Sequence, residues 1–187
     1  TPRGATAGDL LLLTKGVPIE ATAIIAREFS QQLKEVLSQE ALDQAQNFLY
    51  HPGISILPEA RIALSSGRVT AMHDPTEGGL ALALWERAEA SQHAILFRPE
   101  TIPITPLSAR ICQFFDLDPL GAIASGALLF TAPPGDALKI QQAIIAQAIP
   151  CIEIGAVEDG PAAVWQETPL GRTPYHRPAR DEIAKLF

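Results

Sequence analysis

Along the chain, short apolar runs alternate with longer segments in which apolar positions return every three or four residues. This is the pattern of strands interleaved with helices. Leu10, Leu11, Leu12 and Leu13 form a continuous apolar run, led by Gly8-Asp9 and followed by Lys15-Gly16, which predicts a strand covered on both faces. Pro18 opens a helix in which Ala21, Ile24, Ile25 and Phe29, then Leu33, Val36 and Leu37, share one face, with a break near Ser30. Ser38 caps a second helix that runs to about Leu49 and stops at His51-Pro52-Gly53. A short helix over residues 58–65 closes at Gly67.

The second half repeats the alternation. Residues 69–72 read as a strand, residues 73–79 as a polar turn, and Ala81, Leu84, Trp85 and Ala88 as one face of the helix that follows. Further strands are predicted over 95–97 and 127–131, separated by a helix over 106–115. A helix started by Pro134-Gly135-Asp136 aligns Ala137, Ile140, Ile144 and Ala148, and two closing strands cover 151–157 and 162–165. Residues 172–180, rich in Pro and Arg, read as a tail or edge segment, and no repeat of solenoid period is present. This order argues for a layered sheet-and-helix domain.

Composition narrows the function classes. At 187 residues and 47% hydrophobic content the chain is long enough for one well-buried core. Residues 1–7 read as linker, 8–168 as the domain and 169–187 as the C-terminal tail. The opening Thr1-Pro2-Arg3-Gly4-Ala5 reads as an excised fragment of a longer protein. A net charge of −7, with basic residues such as Arg27, Lys34, Arg61, Arg68 and Arg87 scattered rather than gathered, argues against nucleic acid and anionic membranes as partners. The longest strongly apolar run, Leu10 to Leu13, is far short of the roughly 20 residues a bilayer requires. Cys112 and Cys151 have neither zinc-ligand spacing nor a disulfide framework, which favours reduced thiols and a cytoplasmic setting.

Three segments are candidates for chemistry. The turn His73-Asp74-Pro75-Thr76-Glu77-Gly78-Gly79 leaves a strand and ends in two glycines at a helix start, where unpaired N–H groups and the positive end of the helix dipole suit a phosphate or carboxylate. Asp74 can order a magnesium ion or orient a substrate donor, and Thr76 can hydrogen-bond an oxyanion. On residues alone, ordinary capping and turn chemistry accounts for the same segment. Lys15, with Glu20 early in the next helix, is a second constellation; the alternatives are an anion contact and a solvated lysine beside a dipole-matched glutamate. Asp116, Asp118, Gly121 and Ser125-Gly126 form a third polar loop. No nucleophile elbow, zinc-peptidase pair or P-loop is present, and His73 beside Asp74 makes no metal site without further ligands.

Taken in order, these segments resemble the C-terminal half of the superfamily that contains aminoimidazole ribonucleotide (AIR) synthase, the hydrogenase-maturation carbamoyl dehydratases, thiamine-monophosphate kinase and selenophosphate synthetase. Residues 8–16 with 20–26 are similar to the opening strand and helix of the synthase-related branch, and residues 71–81 resemble the D-x-T-x-G-G turn of the maturation dehydratases. Residues 125–130 with 154–157 resemble the last strand-helix-strand unit. The resemblance implies an α/β (α+β) domain of three layers, α/β/α, around a four-stranded mixed sheet of partly ferredoxin-like topology.

It also implies ATP and Mg²⁺ as cofactors of the intact protein, held mainly by an N-terminal domain that is this chain's partner and that forms a homodimer. The chain alone is then expected to be monomeric and inactive. The implied chemistry is activation of an amide or related oxygen of a small-molecule substrate by phosphorylation. Carried over by position, Asp74 is the catalytic residue, and Thr76, Gly78 and Gly79 are cofactor-binding. Two departures bear on this. The chain ends Lys185-Leu186-Phe187, with no cysteine after Cys151, and Glu77 stands where the dehydratases carry a basic residue. Both imply a different substrate or a structural turn, and they keep open a non-catalytic ligand-binding or protein-interaction domain of the same fold.

Overall fold

A computed structural model describes residues 2–187. Among them seven strands form one sheet: β1 (Leu10–Thr14), β2 (Ala71–His73), β3 (Ala94–Phe97), β4 (Leu129–Ala132), β5 (Cys151–Glu158), β6 (Ala163–Thr168) and β7 (Gly171–Pro174), in the order β2-β4-β1-β5-β3-β6-β7. Neighbours are antiparallel except β3 and β6, which are parallel. β4 and β5 both run antiparallel to β1 and enclose it, so the β4-to-β5 connection is a crossover around the first strand. The β2-to-β3 connection crosses outside that pair.

The four-stranded sheet implied by the resemblance is corrected to seven. The two edges supply much of the difference. β2 is only three residues long, and β7 (Gly-Arg-Thr-Pro) is exposed throughout, so it carries no apolar alternation to be read. β7 is held by its ladder to β6, by Arg172 lying 4.8 Å over the Trp165 ring and by an Arg172–Glu158 ion pair of 2.7 Å.

Among the described residues seven α-helices fill the connections: α1 (Ile19–Glu28), α2 (Ser30–Leu33), α3 (Gln39–Gln46), α4 (Leu57–Ser66), α5 (Gly79–Ser91), α6 (Pro106–Phe114) and α7 (Pro134–Ile145). The leucine run of β1 explains their placement. Successive strand side chains point to opposite faces, and Leu11 and Leu13 pack with Leu80 and Leu84 of α5, whereas Leu12 packs with Ala63 of α4 and Ile140 and Ile144 of α7. Each of these leucines is essentially inaccessible, and burying one stabilises the fold by about 1.5–3 kcal/mol. Helices therefore cover both faces of the sheet.

α1, α3 and α6 close a neighbouring core through Ile25, Leu42, Ala45 and Ile111. The expected break near Ser30 falls at Phe29, where the chain leaves helical geometry (φ −112°) before α2 restarts. The Ser38 hydroxyl accepts the Ala41 N–H at 3.2 Å, as the capping pattern predicted. α3 nevertheless ends at Gln46, passing into a 3-10 turn over Asn47–Leu49.

Candidate functional site

The carboxyl ends of β1 and β2 lie beside the start of β4, since both Leu13 and His73 pair with Leu129. That geometry brings together the segments singled out in the sequence. Asp74 leaves β2, Lys15 leaves β1, Glu20 sits in the first turn of α1 and Gly126 precedes β4. Asp74 Oδ1 accepts the Gly126 N–H at 3.3 Å. Burial pushes the half-buried Asp74 carboxyl above its ordinary pKa. The Gly126 hydrogen bond and His73 oppose that rise, the Glu20 charge adds to it and Lys15 opposes it. Glu20 Oε2 is itself buried and accepts no hydrogen bond among the described residues. A carboxyl with raised proton affinity, next to a second carboxylate and a cation, is suited to taking or giving a proton.

Lys15 is neither solvated nor free to meet an anion. Its backbone is left-handed (φ 58°), and its Nζ lies 2.9 Å from Glu59 Oε1, donates to the Ser55 carbonyl at 2.7 Å and reaches the Gly53 carbonyl at 3.3 Å. Thr14 Oγ1 donates to Glu59 Oε1 at 3.4 Å and accepts the Leu128 N–H at 2.9 Å. Glu59, on α4, is 0% exposed, and sequence reasoning missed it. The available signal was its position four residues before buried Ala63, which puts a carboxylate on the apolar stripe of the helix. Gly126 (φ +106°) is required by close approach, because a Cβ there would lie 2.8 Å from both Gly53 O and Ile54 Cα. The Asp74-bound amide is thereby pressed against the loop that Lys15 holds.

The glycine turn behaves differently from expectation. Its amides are not unpaired. Gly78 N donates to Asp181 Oδ2 at 2.6 Å, Gly79 N to the Thr76 carbonyl at 2.9 Å and Ala81 N to the Leu120 carbonyl at 2.8 Å. Asp181, 5% exposed, also accepts through Oδ1 from Ile183 N at 2.9 Å and Ile123 N at 3.3 Å. The tail thus supplies the anion that the start of α5 attracts. A Cβ on Gly79 (φ +60°) would stand 2.5 Å from the Ala122 carbonyl oxygen, so that position is fixed by packing against the 120–122 loop. Thr76 is exposed and, with Glu77, Gly78 and residues 178–181, borders a cavity of about 290 Å³. The structure separates Asp74, bonded to Gly126, from Thr76 and Gly78 at this cavity.

His73 Nε2 pairs with Glu86 Oε2 at 3.1 Å, and burial lowers its pKa against the pull of that carboxylate. Cys112 and Cys151 are free and buried, with thiols pushed up to about 12 by desolvation. Among the described residues no three His, Cys, Asp or Glu side chains are grouped to hold a metal ion, and no helix is long and apolar enough to cross a membrane.

Comparison with known proteins follows the same lines. The family model for AIR synthase related protein, C-terminal domain, matches residues 6–166. The carbamoyl dehydratase HypE of Cupriavidus necator is 28% identical over 172 residues, which cover 90% of this chain and 46% of that protein. The crystal structure of Escherichia coli HypE, a hydrogenase maturation protein, superposes with a TM-score of 0.79 at 19% identity, over 100% of this chain and 55% of that one. A structure of HypE in complex with ATP gives a TM-score of 0.70 at 21% identity, over 97% and 54% of the two chains. At those identities the superpositions show a shared fold. The chain spans about half the length of these relatives. On the match over residues 6–166, which takes in β1 through most of β6, the chain belongs to the AIR synthase related family and carries its C-terminal domain.

Proposed function

We propose that this chain is the C-terminal domain of a cytoplasmic ATP-dependent enzyme that activates an amide or related oxygen of a small molecule by phosphorylation. An N-terminal domain on the same polypeptide completes the site, holds most of the Mg-ATP and makes the homodimer contact. One observation carries the reading: Asp74, Glu20 and Lys15 come together at one end of the sheet, around a carboxyl whose proton affinity is raised by burial. The ATP bound to a structural neighbour of the same fold supports it.

When bound, ATP supplies the phosphoryl group that turns a poorly leaving oxygen into phosphate. Asp74 holds or accepts the proton that the activated group must lose, and the Gly126 amide fixes its orientation. Glu20 is the carboxylate this chain offers toward magnesium. With no three ligands grouped among the described residues, the others come from the N-terminal domain. Thr76, exposed in the turn, is the residue we assign to hydrogen-bond a phosphate oxygen, while Gly78 and Gly79 shape the turn.

The test is calorimetry of Mg-ATP on the intact two-domain protein, together with phosphate release by wild type and Asp74→Asn. Binding is expected in both, with turnover reduced about a hundredfold in the variant, the usual size of a lost general acid-base. Unchanged turnover removes Asp74 from the chemistry. The second reading, a ligand-binding or protein-interaction domain without catalysis, is favoured by the bonds that already occupy the Gly78 and Gly79 amides. Absence of nucleotide binding with and without magnesium favours that alternative.

A further inference from the structure

The Lys15–Glu59 ion pair is buried, with side chains 8% and 0% exposed, and Glu59 Oε2 accepts no hydrogen bond among the described residues. Such a pair is a poor source of stability, because desolvating two charges offsets most of their attraction and apolar side chains of similar volume often serve as well. What apolar side chains would not supply is direction. The contacts of this pair all lead to one short segment of backbone.

They reach it from two sides. Lys15 Nζ donates to the Ser55 carbonyl at 2.7 Å and to the Gly53 carbonyl at 3.3 Å, which ties the 53–55 loop to the end of β1. That loop is the surface on which Gly126 fits with no room for a Cβ. Backbone bonds from Gly53 and Ile54 to the Phe48 and Leu49 carbonyls hold the loop to the preceding turn, not to the sheet. Its outer side borders an open cavity of about 410 Å³, and Ile54 is 38% exposed, so little packing presses it inward. From the other side, Glu59 Oε1 accepts Thr14 Oγ1 at 3.4 Å, and the same hydroxyl accepts the Leu128 N–H at 2.9 Å. One ion pair therefore braces both ends of residues 126–128, and the Gly126 N–H donates to Asp74 Oδ1.

We propose that Lys15 and Glu59 are positioning residues, which fix residues 126–128 against the sheet so that the Gly126 amide holds the Asp74 carboxyl in one orientation. The chemistry assigned to Asp74 rests on the proposed function. The coupling from the ion pair to the Gly126 amide does not.

The experiment compares wild type, Asp74→Asn, the charge-free double variant Lys15→Met/Glu59→Leu and the triple variant that combines them. In the full chain, NMR should show the Gly126 amide of the double variant exchanging about fivefold faster, as a hydrogen bond loosened by roughly 1 kcal/mol requires. Its amide proton should also move toward the position it takes in Asp74→Asn. In the intact protein, phosphate release from Mg-ATP should show kcat about tenfold lower with KM unchanged, the effect of a misplaced group and not of lost binding. The triple variant should then be no slower than Asp74→Asn alone, because the ion pair acts through Asp74. Thr14→Val, which keeps the shape of the side chain and the ion pair but removes the bridge to Leu128, should shift the Gly126 signal in the same direction; it decides the matter if the double variant fails to fold. A Gly126 amide that neither shifts nor exchanges faster overturns the proposal, as does an equal slowing of wild type and Asp74→Asn by the double substitution. If Asp74→Asn itself leaves phosphate release unchanged, the enzymatic reading of Asp74 falls, and the Gly126 signals still decide the coupling.

Discussion

Replacement of Asp181 by alanine should cost the protein a large part of its stability, although the residue lies in the tail. The substitution removes one carboxylate that accepts three backbone N–H groups, from Gly78 at 2.6 Å, Ile183 at 2.9 Å and Ile123 at 3.3 Å. Gly78 is buried, so its N–H has no ready access to water once the acceptor is gone. A hydrogen bond to a charged acceptor contributes roughly 1.5–3 kcal/mol, and an orphaned buried donor is penalised on a similar scale. The short Gly78 bond dominates, the long Ile123 bond adds little, and the Ile183 N–H near the surface recovers a water partner. The expected loss is about 3 kcal/mol for Asp181→Ala and about 1 kcal/mol for Asp181→Asn, which keeps one oxygen.

Urea denaturation provides the assay. With a slope of roughly 2.5 kcal/mol per molar, the Asp181→Ala midpoint should fall by about 1.2 M with the slope unchanged. Amide exchange at Gly78 should accelerate in parallel. A midpoint shift below about 0.3 M would refute the reasoning, since the start of α5 would then be held by the Gly79–Thr76 bond and by packing on the 120–122 loop alone.

Two further outcomes follow from the same structure. Lys15→Met leaves Glu59 charged and unpaired in the interior and should destabilise by about 3–5 kcal/mol, whereas Lys15→Met combined with Glu59→Leu should restore most of that loss. A double variant no more stable than the single one, by the same urea assay, removes the ion pair as the cause. His73 should titrate below the ordinary imidazole range, because burial outweighs the pull of Glu86, and Glu86→Gln should lower it further. A depressed imidazole contributes stability above its unfolded value and loses it as pH falls through the folded one, so acidification destabilises through this residue. An NMR midpoint above the ordinary range contradicts this account.

Much of the fold is legible because its core strands announce themselves by composition. Leu10 to Leu13 reads as a strand covered on both faces, and the two cores that share β1 bear this out. α5 and α7 were readable from 3.6-residue spacing, and Ser38 from its capping position. β7 was not, because an exposed edge strand is held by its ladder and by Arg172, neither of which leaves a hydrophobic period.

The site divides in the same way. Asp74, Lys15, Glu20 and Gly126 stand out locally as polar residues at strand and helix ends, and the sheet brings them together. The pairing of Lys15 with Glu59 and of Gly78 with Asp181 joins residues far apart in sequence, through side chains whose types are ordinary for a helix and a tail. The expectation of open amides at the glycine pair failed for that reason. The helix dipole was read correctly, but the carboxylate that answers it comes from the far end of the chain.

The position of β1 has a consequence for how the polypeptide is made. Its leucines leave the ribosome well before the strands that enclose them, β4 and β5, with Leu10 paired to both Ala132 and Ala156. The most water-averse segment therefore lacks its sheet partners through most of this domain's synthesis. Folding so dominated by distant pairings is slow and exposes the nascent chain to aggregation. A truncation anywhere before β5 should yield no smaller folded unit, only a chain with its central strand bare.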